Sequence, residues 1–159
     1  MLKTPELIIA DTSCLIVLDK IGCLDLLQKV YNRVTITPEI ADEFGDKLPN
    51  WISIDKALNL DKQHILQKDL DLGEASAIAL ALDKPNCILI VDDLKARNVA
   101  KFFNLKITGT LGVIVKAKET GVLKVVKPTV SKLVKTDFRV SLKVLAHLSE
   151  KTGEDLLNI

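Results

Sequence analysis

LIIAD at residues 7–11 and CILIVDD at residues 87–93 are the two segments on which the reading of this chain turns. Each is a short apolar run with no polar interruption, the pattern of a strand buried on both faces of a parallel sheet. Each run ends in carboxylates: Asp11 in the first, Asp92 and Asp93 in the second. If the two strands are neighbours, these acids meet at one edge of the sheet.

The rest of the chain alternates in the same way. Residues 13–21 and 23–30 carry helical patterns broken at Gly22, and 34–37 reads as a second strand. Thr37-Pro38 starts a helix to about Gly45, with Thr as N-cap and Pro in the first turn. An edge strand is expected at 51–54 and a weaker helix at 56–68. Residues 71–82 form a helix opened by Asp-Leu-Gly-Glu, a capping-box pattern. A strand at 87–91, a helix at 94–103, a strand at 106–108 and a helix at 111–120 follow, and two amphipathic helices occupy the tail from Pro128. Strands alternating with helices predict a three-layer α/β/α fold around a mostly parallel sheet. The expected division is a domain over 1–125 and a C-terminal helical extension over 126–159 packed on it. In such sheets ligands bind beyond the carboxyl ends of the strands.

Composition narrows the function classes. The 159 residues are 48% apolar and 27% charged, which excludes a disordered or low-complexity chain. No stretch reaches the ~18 apolar residues of a membrane span, and the N-terminal run is too short for a signal peptide's core. A cytoplasmic protein is expected. Cys14, Cys23 and Cys87 lie in apolar segments without a C-x-x-C pair, so they read as reduced structural thiols. With only His64 and His147 to assist them, a zinc site is not expected. Twenty-two basic residues nearly cancel 21 acidic ones, so the chain is not polycationic, although a local basic rim can hide in a neutral total. An aromatic content of 4% argues against base-stacking platforms.

Each acid has a plain structural explanation when taken singly. Asp11 and Asp93 stand just before helices, where Asp is a favoured N-cap. Glu39 and Glu43 share a helix face beside Ile40 and Phe44, and either can be a solvated flank. Glu74 lies on the stripe of Ile78, where an unpaired Glu is costly, yet it also fits the third position of the capping box with Asp71. The joint placement says more. Two carboxylates ~4 Å apart repel by roughly 4 kcal/mol at an effective dielectric of 20, so a cluster of four requires a cation. Oxygen ligands without His or Cys support point to Mg²⁺ or Mn²⁺, which polarises a phosphoryl oxygen and activates water.

At these residues the chain resembles the PIN-domain family of metal-dependent nucleases. The segments are IIADTSCLIVLDKIG, VTITPEIADEF, LDLGEASAIALAL and the stretch from CILIVDDLKAR through ITGTLG to GVL. The resemblance implies an endoribonuclease using Mg²⁺ or Mn²⁺, related to the toxins of toxin–antitoxin pairs. It assigns catalytic carboxylates to Asp11, to Glu43 rather than Glu39, to Glu74 and to Asp93, with Asp92 as a further metal ligand. Thr12 or Ser13 would bind a metal-bound water or a phosphate. Arg97 is expected to touch a substrate phosphate or to pair with Asp93. The chain departs from the common toxin pattern at Glu74, one methylene longer than Asp, and at LKAR after Asp93. RNA, a small antitoxin-like protein and a second copy of the chain are the expected partners, the latter two through apolar stripes that include Leu15, Leu18, Leu142 and Leu145. A phosphorylation-receiver-like domain and a non-catalytic PIN scaffold are the competing readings.

Overall fold

The computed structural model describes residues 6–159; residues 1–5, which begin the N-terminal run read above, lie outside the described residues. In chain order the elements are β1 (Leu7–Ala10), α1 (Thr12–Lys20), α2 (Asp25–Tyr31), β2 (Val34–Ile36), α3 (Pro38–Phe44), β3 (Ile52–Ile54), α4 (Leu60–Leu66) and α5 (Leu72–Leu82). They continue with β4 (Cys87–Ile90), α6 (Leu94–Phe102), β5 (Lys106–Thr108), α7 (Thr110–Glu119), α8 (Lys127–Val134) and α9 (Leu142–Thr152). The strands form one sheet in the order β3-β2-β1-β4-β5, and every pairing is parallel. Helices cover its faces, giving the three-layer α/β/α fold.

The order has a physical consequence. The chain winds outward from β1 through β2 to β3, then crosses back and lays β4 against the other side of β1. The connections leaving β1 and β4 therefore diverge, which opens a crevice at their carboxyl ends. Register runs from Leu7 opposite Cys87 to Ala10 opposite Ile90. The Asp11 N–H donates to the Ile90 carbonyl at 3.0 Å, so Asp11 stands beside the turn that carries Asp92 and Asp93.

Local chemistry sets the helix starts. Thr37 accepts from the Ile40 N–H with Pro38 in the first turn, as its sequence requires. The helix expected from residue 56 begins only at Leu60, because Asn59 accepts from the Asp61 and Lys62 N–H groups and fixes the N-cap there. The strand at 52–54 takes the sheet edge, as expected.

Two apolar clusters hold the layers together. The first surrounds the sheet and includes Ile9, Leu15, Leu18, Ile36, Ile78 and Leu89. The second joins Val17 and Leu26 to Ile114, Val130, Leu133 and Leu148, and so binds α8 and α9 to α1, α2 and α7. Leu15, Leu18 and Leu145 lie inside these clusters rather than on a partner surface, whereas Leu142 is 73% exposed. No helix among the described residues is long and apolar enough to cross a membrane.

Glu154 pins the C-terminal helices in place. Its carboxylate accepts from Lys118 Nζ at 2.6 Å and from the Val126 and Lys127 N–H groups that open α8. Lys118 also donates to the Thr152 carbonyl at the end of α9. Glu154→Ala strands a half-buried ammonium and two helix-terminal donors, a loss of about 2 kcal/mol. Urea unfolding should show that loss, with Glu154→Gln recovering part of it.

Candidate active site

A cleft of about 1390 Å³ opens at the carboxyl ends of β1 and β4. Asp11, Thr12, Ser13, Glu43, Glu74, Asp92, Asp93 and Arg97 all line it, so every site residue expected from the sequence reaches one cavity. Glu39 does not. Its Oε1 accepts from the buried Gln63 side chain at 3.2 Å and ties α3 to α4.

The capping and ligand explanations of these acids prove compatible. Asp11 is 4% exposed and accepts from the Thr12 N–H through Oδ1 at 2.8 Å. Asp93 caps α6 by accepting from the Ala96 N–H at 3.0 Å, yet its side chain is exposed on the cleft. Glu74 and Asp71 form the full capping box: the Glu74 N–H donates to Asp71 at 2.8 Å, and the Asp71 N–H donates to Glu74 Oε1 at 3.2 Å. The cap occupies Glu74 Oε1 and leaves Oε2 without a donor among the described residues. Glu43 is exposed on the rim. Its carboxylate lies against the α5 N-terminus, where a Cβ on Gly73 would stand 2.5 Å from Oε1. A side chain at that position would displace Glu43, so the glycine makes the approach possible.

Buried hydroxyls set the relation between α3 and α5. Ser76 Oγ donates its single hydrogen to the Gly73 carbonyl at 2.8 Å. Thr37 Oγ1, 2.6 Å from Ser76 Oγ, is then the donor of that pair while it accepts from Ile40 N–H. This chain fixes the helices that carry Glu43 and Glu74.

On the other side of the crevice, Asp92 anchors the next connection. Thr110 donates its N–H to Oδ1 at 2.8 Å and its hydroxyl to Oδ2 at 2.5 Å. Gly109 leaves room for this carboxylate, since a Cβ there would stand 2.7 Å from Asp92 Oδ1. Arg97 does not pair with Asp93 among the described residues: its Nη1 donates to the Val91 carbonyl at 2.8 Å.

Burial pushes the Asp11 carboxyl up to about 7 despite its hydrogen bond from Thr12, and Glu74, Asp71 and Glu43 add repulsion. Glu74 is likewise pushed up to about 7, first by burial and then by Asp71, Asp93 and Glu43. The acids therefore share one electrostatic field. Beside them the buried Thr12 Oγ1 has no hydrogen-bond partner among the described residues, a state that ordinarily costs about 1–3 kcal/mol. Cys14, fully buried beneath, is an inert thiol pushed up to about 12 by burial.

The opposite wall was not anticipated. Asp137, Phe138, Arg139 and Val140 from the α8–α9 connection, with Val144 and His147 of α9, close the cleft. Asp71 also lines it, although its sequence signal was that of a cap. The alternation of half-buried Phe138 and Val140 around exposed Arg139 is the one local signal that pointed to the wall.

No group of three or more His, Cys, Asp or Glu side chains among the described residues closes into a metal cage. The donor set nevertheless suits a hard cation: carboxylates sharing one field, an unpartnered hydroxyl, and a glycine that admits Glu43. An all-parallel α/β sheet with carboxylates gathered at its switch point defines a class of domains whose ligand crevice lies at the strand ends. The profile of one such family, described as the PIN domain, matches residues 7–154, and the chain belongs to that family. The match runs through the C-terminal helices that close the cleft, and it leaves the receiver-like alternative without support. PIN domains are generally nucleases and typically use divalent metals. Among curated proteins and solved structures, none matches the chain at a significant level.

Two predictions follow from this geometry. Because the folded pKa values of Asp11 and Glu74 lie near 7, and unfolded carboxylates titrate near about 4, the folded state holds these protons more tightly. Metal-free stability should fall as pH rises from about 4 to about 7. Asp11→Asn and Glu74→Gln keep their hydrogen-bonding oxygens and should flatten that fall, leaving both variants above wild type at pH 8 in thermal melts with chelator. Gly73→Ala should move the flexible Glu43 carboxylate out of the cleft at little cost in melting temperature. Calorimetric titration should then show weaker Mn²⁺ binding than in wild type.

Proposed function

We propose that the protein is a metal-dependent endoribonuclease. The observation that carries this reading is that Asp11, Glu43, Glu74 and Asp93 line one cleft at the switch point of a PIN fold, where burial and mutual repulsion raise the Asp11 and Glu74 pKa values. Asp11, Glu43, Glu74 and Asp93 would hold Mg²⁺ or Mn²⁺. When bound, such a cation polarises a phosphoryl oxygen and lowers the pKa of water.

The side chains divide the remaining work. Ser13, exposed on the cleft beside the buried Thr12, donates its hydroxyl to a non-bridging phosphate oxygen. Glu74, whose Oε1 stays in the capping box, would offer Oε2 to the cation, and solvent takes the proton of the attacking water. Water adds to phosphorus, the P–O bond opposite breaks, and solvent protonates the departing alkoxide. Asp92, engaged by Thr110, holds the α7 start in place. Arg97 retains guanidinium donors beyond the one given to Val91 and directs them at a neighbouring phosphate.

The test is cleavage of labelled single-stranded RNA with Mn²⁺, with chelator and against duplex DNA at equal salt. Asp11→Asn, Glu43→Gln and Asp93→Asn should each lower the rate at least about 100-fold. Glu39→Gln should cut at close to the wild-type rate. Equal or faster cutting of DNA rejects the RNA assignment. RNA binding without cleavage under any divalent cation assigns the chain to the non-catalytic scaffolds instead.

A further inference from the structure

The cleft has an uneven charge distribution that the acidic site does not explain. Its lining carries the carboxylates of Asp11, Glu43, Asp71, Glu74, Asp92, Asp93 and Asp137, against the two guanidinium groups of Arg97 and Arg139. No lysine lines it. Lys116 lies over the Tyr31 ring and Lys118 is bound by Glu154. Arg97 is turned onto the Val91 carbonyl. A polyanion in this cleft needs cationic contacts away from the metal; Arg97 can offer only part of its guanidinium, and Arg139 is the second cation on the lining.

Arg139 is exposed and has no hydrogen bond or ion pair with the described residues, yet its backbone is held firmly. Phe138 and Val140 on either side pack into the second apolar cluster. The loop before it is closed by Thr136, whose hydroxyl donates to the Leu133 carbonyl at 2.6 Å and accepts from the Phe138 N–H at 3.1 Å. Asp137, the nearest acid in sequence, is drawn to Lys20 at 3.6 Å. Two anchored neighbours therefore present a guanidinium that the protein itself does not use. On the same wall His147, three residues after Val144, shares the cleft-facing side of α9 while Leu145 and Leu148 face the core.

We infer that Arg139 binds a backbone phosphate of the RNA strand lying in the cleft, with His147 as a second hydrogen-bonding group on the same wall. The inference rests on the nuclease reading for its ligand. It makes the α8–α9 connection a substrate-binding element and not only a structural extension. The guanidinium fork suits a phosphate bidentately.

Anisotropy of a fluorescein-labelled uridine dodecamer in millimolar Ca²⁺, repeated over a salt series, tests it. Arg139→Gln should weaken binding about tenfold and lower the salt slope by about 0.7, the loss of one phosphate contact. In Mn²⁺ cleavage the same variant should raise KM and leave kcat unchanged. His147→Asn should weaken binding by less. Lys143→Gln, an equal charge loss on the exposed side of α9 outside the cleft lining, should bind as wild type. Arg139 is exposed, so melting temperatures should agree among the variants. Equal affinity for the Arg139 and Lys143 variants, or no binding by wild type, overturns the inference. Wild type that binds but does not cut overturns the nuclease reading alone, and the affinities still decide Arg139.

Discussion

Parallel pairing of β1 with β4 is the constraint on which the rest of the structure depends. Four residue pairs from Leu7–Cys87 to Ala10–Ile90, extended by the Asp11 N–H bond to Ile90, fix where both strands stop. A slip of one residue would exchange the faces of every side chain in these runs and carry Asp11 away from the sheet end. Because β1 and β4 flank the switch point, their terminal acids are forced together whatever the helices do. The helices then bring the remaining carboxylates to this fixed edge. The capping box orients Glu74, Gly73 admits Glu43, and the Thr37–Ser76 hydroxyl pair keeps the two helices in relation.

This arrangement works against stability at the place where it works for chemistry. Asp11 is almost fully buried among other acids, and the Thr12 hydroxyl has no partner among the described residues. A few kcal/mol of such cost is a large share of the 5–15 kcal/mol that separates folded from unfolded domains. The offset comes from the apolar shell directly beneath: Ile9, Ala10, Cys14, Leu15 and Ile90 are fully buried. Rigid packing under a strained polar rim is what keeps repelling groups from relaxing apart.

Strand and helix order was legible because the relevant runs are short, apolar and bounded by strong caps. LIIAD, ILIVDD, Thr37-Pro38 and DLGE each state an element and its boundary at once. Asp11, Asp92 and Asp93 were legible for the same reason, since a carboxylate at a strand end is placed by the strand, whereas Glu43 and Glu74 are carried there by helices. Other features depend on tertiary approach. That Asp92 is latched by Thr110, or that Arg97 folds back on Val91, is decided by the β4–β5 connection and not by local pattern. The stripes of Leu15, Leu18 and Leu145 could not be told from a partner surface, because an apolar helix face looks the same whether its neighbour is another chain or another helix of its own. The far wall of the cleft was hidden because α8 and α9 are positioned by the second apolar cluster, which has no signature in either helix alone.

The near-neutral total charge acquires a different meaning once the fold is known. A balance of 22 basic and 21 acidic residues suggests indifference to polyanions, but the fold concentrates carboxylates in one cleft. Such a cleft repels a phosphate backbone at long range until a cation neutralises it. Association then depends on contacts made inside the cleft and not on steering from a distance, and few guanidinium groups are available to make them. A surface of this kind separates metal occupancy from strand capture. In the proposed function the sheet edge would supply the first and the C-terminal helices part of the second. The acids therefore cannot be assessed apart from the helical wall opposite them, because a strand held only at the metal would be free to pivot about the scissile phosphate.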